Sequence, residues 1–333
     1  MNTIFKFLWK FKFVFLIGAV LLAVLLIAPE FLPQPGKIVE NAMLKRTPMW
    51  SPTGDKIVFV SEYKGASGLW LLTFPYKNIT QLTNSLSSDW FPSWSPDGKY
   101  VAFHSNRGGN LDIWTVRIED GKLSQITNDP APEVTPAWSP GGDKIAFSSM
   151  RHGNWDIWIK SISDGREEQF TAYEADEKYP SWSPDGKTIA FSSDWRKNWD
   201  IWVKPVSGGE AQPLTNDKAD DTAPSWSPDG EKIVFSCLYG GSSNIWVISL
   251  AGGELIPMTI DEVYDWNPSW SPDGKKIIFQ SNRDGNEDIW QVSTPSFFYS
   301  FIIKIKIKTR KLYRFANWIL IQAAEEITGR EYD

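Results

Sequence analysis

Short apolar segments recur along the chain every 44 residues, and polar turns separate them. In one repeat, residues 100–103 read Tyr-Val-Ala-Phe without apolar–polar alternation, which predicts a strand packed on both faces. A Ser-Pro-Asp-Gly turn at residues 95–98 precedes this strand, since Pro and Gly favour tight turns. Two further strand segments follow at residues 112–116 and 123–127. With the strand that enters the first turn, each repeat predicts four antiparallel strands, the unit of a β-propeller blade.

Three kinds of residue keep the same phase in successive repeats. The first is the tryptophan before the turn: Trp50, Trp94, Trp138, Trp182, Trp226 and Trp270. The second is the tryptophan of the third strand: Trp70, Trp114, Trp158, Trp202, Trp246 and Trp290. The third is a threonine after the fourth strand: Thr83, Thr127, Thr171, Thr215 and Thr259. One propeller blade typically spans about 40–50 residues. Six copies therefore predict an all-β, six-bladed β-propeller of four-stranded antiparallel blades over residues 36–293, in which the twelve tryptophans pack between blades.

Two segments compete to close this predicted ring. The sixth repeat loses the pattern after Trp290, so its blade lacks an outer strand. Residues 37–41 lie at the phase of a fourth strand, and residues 298–304 lie at the same phase with an alternating pattern beyond them. We favour closure by the N-terminal segment because it gives the simplest ring.

Residues 1–35 predict a membrane anchor or a secretory signal with its linker. Lysines precede an apolar run at residues 13–28, and apolar character extends over residues 4–28. Cleavage after Ala28 would put Pro29 directly after the cut, so we favour an uncleaved N-terminal transmembrane helix. Lysines on the N-terminal side predict that the repeats lie outside the cytoplasm, on the periplasmic side, or are secreted if the segment is cleaved.

Residues 294–333 belong to no repeat and form an irregular basic tail. Its basic stretch lies within residues 304–314, and a short helical segment follows near residues 319–328. The tail is either an added strand with a capping helix, which we favour, or a basic segment that binds a membrane surface or a partner.

Composition limits the chemistry of the chain. The net charge of −6 argues against nucleic-acid binding, and the single cysteine, Cys237, leaves no disulfide within the chain. We interpret Cys237 as a small core residue and the two histidines, His104 and His152, as packing residues. A Gly-x-Ser-x-Gly elbow, a zinc-binding cysteine pair and a phosphate-binding loop are all missing from the sequence. No catalytic residue, cofactor or metal site is therefore predicted.

Charged residues occur in phase at one end of the predicted ring. Strand parity puts the loop after strand two and the connection between blades at the same end, and strand one is innermost. Six residues at the start of strand one are predicted to ring the channel mouth: Lys45, Asp89, Glu133, Glu177, Asp221 and Asp265. The loops after strand two add three arginines in phase: Arg107, Arg151 and Arg283. In the fourth repeat, Arg196 is displaced by one position.

Two interpretations of these charges stay open from the sequence. In the first, each arginine pairs with a nearby carboxylate and fixes the loops. In the second, the acids form a funnel for a basic peptide or a cation, because like charges around a ring need a counter-ion or protons. Tryptophans near these loops add candidate contacts for a partner or a sugar ring: Trp90, Trp266, Trp155, Trp195 and Trp199.

Four segments resemble the WD40-like propeller repeat of the TolB family: residues 92–99, 145–149, 156–158 and 214–216. The first reads Pro-Ser-Trp-Ser-Pro-Asp-Gly-Lys, and the resemblance spans about residues 38–292. It implies a six-bladed periplasmic propeller that binds partners in the cell envelope, although other members are attached to serine peptidases. Two departures stand out, because the turn aspartate of the family is Thr53 in repeat one and Gly141 in repeat three. The separate α/β domain of TolB is not expected before this propeller.

From the residues and the resemblance together, we expect a monomeric, non-catalytic propeller of the cell envelope. It is expected to bind a protein or peptide partner at the acidic channel mouth, with no nucleic acid involved. One alternative is a carbohydrate-active hydrolase or lyase that uses carboxylates of the channel mouth. Another is the propeller module of a lost or separately encoded serine peptidase.

Overall fold

The computed structural model describes residues 34–38, 43–63, 66–83 and 87–294. These residues form 24 strands in six four-stranded antiparallel sheets, which confirms the predicted all-β, six-bladed propeller. Within this part of the chain there is no α-helix, and hence none long and apolar enough to cross a membrane. The predicted anchor helix and the basic tail lie outside the described residues.

The first five blades follow one another along the chain. Blade one contains β2 (Arg46–Trp50), β3 (Lys56–Tyr63), β4 (Ala66–Thr73) and β5 (Asn78–Gln81). Blade two contains β6 (Asp89–Trp94), β7 (Tyr100–Ser105), β8 (Asp112–Arg117) and β9 (Leu123–Gln125). Blade three contains β10 (Glu133–Trp138), β11 (Lys144–Ser149), β12 (Asp156–Ser161) and β13 (Glu167–Gln169). Blade four contains β14 (Glu177–Trp182), β15 (Thr188–Ser193), β16 (Asp200–Pro205) and β17 (Gln212–Pro213). Blade five contains β18 (Asp220–Trp226), β19 (Lys232–Tyr239), β20 (Ser242–Ser249) and β21 (Leu255–Pro257).

Blade six joins the two ends of the propeller. It contains β22 (Asp265–Trp270), β23 (Lys276–Ser281), β24 (Asp288–Ser293) and, as its outer strand, β1 (Gly36–Lys37). Lys37 lies opposite Trp290, and the amide of Ile38 donates to the carbonyl of Ile289 at 3.1 Å. Closure by the N-terminal segment is therefore confirmed. The competing segment, residues 298–304, lies outside the described residues.

The second strand of each blade is buried on both faces, as the unbroken apolar runs predict. In blade one, Ile57, Val58, Phe59 and Val60 are all fully buried. Each sheet packs between two neighbouring sheets, so neither face of its second strand reaches water. The core of the molecule is consequently divided among the contacts between blades.

The tryptophans of the first strand join neighbouring blades by hydrogen bonds as well as by packing. The indole N–H of Trp182 in blade four donates to the carbonyl of Ala137 in blade three at 3.1 Å. Equivalent bonds begin at three other tryptophans: Trp94, Trp226 and Trp270. The indole nitrogens of Trp50 and Trp138 are buried without a partner among the described residues.

The Ser-Pro-Asp-Gly turns are held by a side-chain network that survives both departures from the family pattern. Ser95 Oγ donates to Asp97 Oδ1 at 2.6 Å and accepts from the amide of Tyr100 at 2.9 Å. In repeats one and three the acceptor lies two residues later, at Asp55 and Asp143. The hydrogen bond from the serine hydroxyl to an aspartate is thus preserved in the turns where the usual aspartate is missing.

A bulge in each first strand turns one side chain towards the central channel. The register between strands one and two shifts after one to three residues, and the bulged residue has a positive φ of 45–58°. The residues concerned are Thr47, Phe91, Thr135, Tyr179, Ala223 and Asn267. This conformation is uncommon for side chains other than glycine, and its recurrence in all six blades makes it part of the architecture.

Candidate functional site

We call one end of the ring the loop face; it carries the loops between strands two and three and the connections between blades. All six predicted ring residues lie at this end, and each is at most 1% exposed. Their side chains point between blades: Asp89 of blade two accepts from Thr83 Oγ1, at the end of blade one, at 2.7 Å. The predicted contact between these residues and a partner stays a prediction, and a direct contact would first have to uncover them.

The threonine marker connects three strands at the loop face. Thr83 Oγ1 accepts from the amide of Leu69 at 2.9 Å while it donates to Asp89. The other four threonines accept in the same way from an isoleucine amide of strand three: Ile113, Ile157, Ile201 and Ile245. Each threonine therefore links strand three of its blade to its own fourth strand, and in blade one the link extends to the next blade. Its recurrence in the sequence was visible, but this role was not.

Three of the ring acids are paired with arginines of their own blades. Arg107 Nη2 donates to both carboxylate oxygens of Asp89, at 2.6 and 2.7 Å. Arg283 binds Asp265 in the same way, and Arg151 pairs with Glu133. This geometry is the internal pairing that was the first of the two interpretations.

Each of these arginines occupies a similar slot. Its Nε donates to a serine at the end of strand two, as in Arg107 to Ser105 at 3.0 Å. Its guanidinium lies over the tryptophan of strand three, at 5.4 Å for Trp114, 4.1 Å for Trp158 and 4.9 Å for Trp290. A cation over an aromatic face is attractive, so the slot binds guanidinium by charge and by stacking.

Two ring acids lack such a partner. Burial, with a smaller contribution from the nearby Asp156, raises the pKa of Glu177 to about 8. Burial likewise raises the pKa of Asp221 to about 7. Where blades two, three and six have arginine, blades four and five have Trp195 and Tyr239. The sequence shows that these two positions lack arginine, but only the contacts show that Glu177 and Asp221 are left without an ion pair.

The aromatic residues of blades three and four form an exposed cluster on the loop face. Trp195 is 49% exposed and stacks on Tyr173 at 4.6 Å and on Trp202 at 5.1 Å between ring centroids. The Nζ of Lys178 lies 4.7 Å from the ring centroid of Trp155 and 5.6 Å from that of Trp199. Trp195 thus stacks with Tyr173 and Trp202, whereas Trp155 and Trp199 meet around the ammonium of Lys178.

The other two predicted tryptophans are partly buried. Trp90 packs against the core between blades one and two, with the guanidinium of Arg46 at 5.6 Å. Trp266 packs against Tyr264 at 5.2 Å between ring centroids. Neither ring is fully exposed.

The central channel is a separate, uncharged feature. A cavity of about 370 Å³ is lined by the bulged residues and by the prolines, serines and tryptophans that follow them, with no charged side chain in its wall. The rings of Phe91 and Tyr179 meet at 5.5 Å, and Phe91 stacks on His104. Burial lowers the pKa of His104 to about 3, so its ring is neutral and its Nδ1 accepts from the amide of Thr135. His104 is a packing residue, whereas His152 is an exposed loop residue against Trp158.

The described residues include no group of three or more His, Cys, Asp or Glu side chains that could hold a metal ion. The thiol of Cys237 is free and half-buried, and burial together with Asp221 raises its pKa. A raised pKa keeps a thiol protonated and unreactive at neutral pH.

The model of the TolB β-propeller domain family matches residues 34–135, 125–221 and 180–299 of the chain. The chain belongs to this family. Crystal structures of TolB support the assignment of the fold. TolB from Acinetobacter baumannii is 23% identical with a TM-score of 0.65, over 72% of this chain and 60% of that one. The chain thus spans less than two thirds of that TolB. A putative TolB from Agrobacterium tumefaciens is 23% identical with a TM-score of 0.62, over 78% of this chain and 93% of that one.

The same TolB-type propeller resembles enzymes. An oligogalacturonate lyase in complex with manganese is 16% identical with a TM-score of 0.58, over 79% of this chain and 94% of that one. A puromycin-hydrolysing peptidase from Mycobacterium tuberculosis is 14% identical with a TM-score of 0.58, over 76% of this chain and 51% of that one. No curated protein matches the chain. At these identities the likeness concerns the fold alone.

Proposed function

We propose that this TolB-family propeller is a non-catalytic module of the cell envelope that binds a protein or peptide partner at its loop face. The observation that carries the proposal is the stacked ladder of Trp202, Trp195 and Tyr173, whose outer tryptophan is half exposed. Rigid, partly exposed aromatic rings are the usual anchors of protein interfaces. Trp155 and Trp199, which lie on the ammonium of Lys178, add two partly buried rings from the same two blades.

The buried ring residues support the loop face from beneath. Asp89, Glu133 and Asp265 hold Arg107, Arg151 and Arg283 by charge-assisted hydrogen bonds, and these arginines fix the loops after strand two. A surface that is rigid before binding loses less conformational entropy when the partner arrives. In this proposal the acids and Lys45 position the surface, whereas Trp195 and its neighbours, with Trp90 and Trp266, contact the partner.

Charge favours a basic partner. The chain carries a net charge of −6, and exposed carboxylates on the loop face include Glu62, Glu174, Asp217 and Asp261. Opposite charges at the rim of an interface steer association and are weakened by salt. Binding should therefore weaken as ionic strength rises.

The location and domain organisation belong to the same proposal. The protein would be extracytoplasmic, held in the membrane by residues 4–28 within the segment 1–35. Residues 36–293 would form the propeller, residues 294–333 a basic tail, and the propeller would act as a monomer.

The proposal is tested by capture from an envelope extract of the native host with the full-length chain in detergent. Trp195→Ala removes the exposed anchor, and Tyr76→Ala is the matched control, since Tyr76 is 84% exposed on the turn between β4 and β5. We expect one captured protein to be lost with Trp195→Ala and kept with Tyr76→Ala. Equal capture by both variants, or no captured protein, would contradict the proposal.

A hydrolase or lyase activity is the second candidate, because Glu177 has the raised pKa that a general acid requires. Its carboxyl is fully buried, however, so a substrate could reach it only after the blades separate. Glu177→Gln should leave any measured lyase or hydrolase rate unchanged. A loss of more than about a hundredfold would instead make Glu177 catalytic.

A further inference from the structure

Three blades share one arginine slot, and its parts are the same each time. A carboxylate at the start of strand one binds the guanidinium, a serine at the end of strand two accepts from Nε, and a tryptophan of strand three lies beneath. In blades three and six a second carboxylate on the connection between blades completes the slot. Asp129 Oδ2 lies 3.7 Å from Arg151 Nε, and Asp261 Oδ2 lies 3.1 Å from Arg283 Nη1.

Blade five keeps the recognition elements of this slot but lacks the arginine. Asp221 is the carboxylate of strand one, Asp217 is the carboxylate of the connection, and Trp246 is the tryptophan of strand three. The serine is replaced by Cys237, and the arginine is replaced by Tyr239, which is 67% exposed. The slot therefore has its anionic and aromatic walls without the cation that they bind elsewhere.

A cavity takes the place of the missing side chain. Its volume is about 560 Å³, it is open on one side, and its walls include Asp217, Cys237, Tyr239 and Trp246. In blade four the space over the strand-three tryptophan is occupied, because Trp195 stacks on Trp202 and the guanidinium of the displaced Arg196 lies 5.1 Å from the centroid of the same ring. The empty slot is thus specific to blade five among these blades.

The buried carboxyl of Asp221 provides an independent sign that a ligand is missing. Asp221 is 1% exposed and lies opposite Cys237, a wall residue of the cavity, in the strand register. Its Oδ1 has no hydrogen-bond partner among the described residues, whereas Cys237 and Thr215 hydrogen-bond to the same carboxyl. In blades two and six both oxygens of the equivalent carboxylate accept from arginine. A buried carboxylate oxygen without a donor is costly, and a guanidinium that enters the slot would supply the missing donor.

We propose that the blade-five slot binds the guanidinium of an arginine presented by the protein or peptide partner, over Trp246 and between Asp217 and Asp221. The proposal rests on the proposed function, since it names the side chain by which that partner is held. Arginine fits better than lysine because its planar fork binds a carboxylate with two bonds and stacks on an aromatic face. The ammonium of Lys218 also borders the cavity, so the incoming cation must displace this like charge.

Calorimetric titration of the full-length protein tests the slot without a partner. The probes are Nα-acetyl-arginine amide, Nα-acetyl-lysine amide and Nα-acetyl-citrulline amide, the last being an uncharged analogue of arginine. We expect one site for the arginine probe, binding about tenfold weaker for the lysine probe, and no binding for citrulline. Equal affinity for all three probes, or no binding of the arginine probe, would overturn the proposal.

Two variants locate the binding on the molecule. The double variant Cys237→Ser with Tyr239→Arg rebuilds the internal arginine of blade two and should abolish binding of the arginine probe while the fold is kept. Lys218→Gln removes the competing charge and should strengthen that binding several-fold. Undiminished binding of the arginine probe to the double variant would show that the probe binds elsewhere and would overturn the proposal.

Partner capture separates this inference from the proposed function. A partner that depends on Trp195 but is captured equally by the filled double variant leaves the proposed function intact and overturns the arginine slot. Binding of the arginine probe without any captured protein would instead support the guanidinium slot and contradict the proposed partner binding. In that case the slot binds a free guanidinium compound, and the partner-binding function fails.

Discussion

Lys45 Nζ lies 2.5 Å from Asp288 Oδ1, and both residues are almost completely buried. Lys45 precedes the first strand of blade one, whereas Asp288 begins the third strand of blade six. The ion pair therefore joins the first and last blades of the ring. Lys37, in the closing strand, binds the other oxygen of Asp288 at 2.7 Å. In the other blades the position of Lys45 is held by an acid. The reversed charge is explained by the pairing of Lys45 with Asp288 at this junction of the first and last blades, which we call the seam.

Removal of Asp288 should damage the seam more than removal of Lys45. Asp288→Asn leaves two lysines at the seam without their carboxylate, one of them fully buried, and should lower the free energy of unfolding by about 3–5 kcal/mol. Lys45→Met leaves Asp288 paired with Lys37, so its loss should be clearly smaller. Urea unfolding of the two variants and the wild type measures both values. A larger loss for Lys45→Met would show that Lys37 does not hold Asp288.

The tryptophans of strand one give a matched test of the hydrogen bonds between blades. Trp182→Phe removes the bond to the Ala137 carbonyl and should cost about 0.5–1.5 kcal/mol beyond the loss of packing. Trp138→Phe removes a buried indole N–H that has no partner among the described residues, so it lacks this extra cost. Chemical denaturation compares the two variants. Equal destabilisation would mean that the bonds between blades contribute nothing measurable.

The threonine marker should depend on its hydroxyl group rather than its size. Thr83→Val keeps the shape but removes the hydroxyl that accepts from the amide of Leu69 and is one of the donors to Asp89 Oδ2. We expect a loss of about 1–3 kcal/mol in the free energy of unfolding. Thr83→Ser retains the hydroxyl and is the control, with a markedly smaller loss. Similar losses for the two variants would assign the role of this residue to packing alone.

Stability should fall as pH rises from about 4.5 to about 8. Within this range folded Glu177 still holds a proton that the unfolded chain has released, so the folded state binds more protons. Asp221 acts in the same direction up to about pH 7. Each such group contributes a slope of about 1.4 kcal/mol per pH unit. Glu177→Gln should flatten the dependence of the melting temperature on pH.

Asp97→Asn is the control for this pH experiment. Its bond from Ser95 lowers the pKa of Asp97, so this carboxyl titrates below the range in question. The control should show the wild-type slope between pH 5 and pH 8. If Glu177→Gln also keeps the wild-type slope, Glu177 is ionised in the folded protein.

The repeat pattern was sufficient to predict the blades, and the N-terminal closing strand was favoured over residues 298–304, which share its phase. The tryptophans, the turns and the doubly apolar second strands recur at one interval, and each has a local physical cause. Closure could be predicted because the phase of Ile38 is that of a fourth strand, and β1 indeed pairs with β24. The bulged residues, such as Phe91 and Tyr179, were not predicted, because a bulge follows from how neighbouring first strands converge on the channel rather than from residue type.

For the candidate site, the sequence determined some features and the tertiary structure decided others. The sequence alone determined which residues share a phase, and hence that acids and arginines meet at one end of the ring. Only the tertiary structure decided that the acids are buried between blades, because burial depends on the neighbouring blade and its threonine. It also decided that Trp195 fills its slot whereas Tyr239 leaves one empty. Side-chain direction at a loop is set by packing against other blades, and the order of residues along the chain does not specify it.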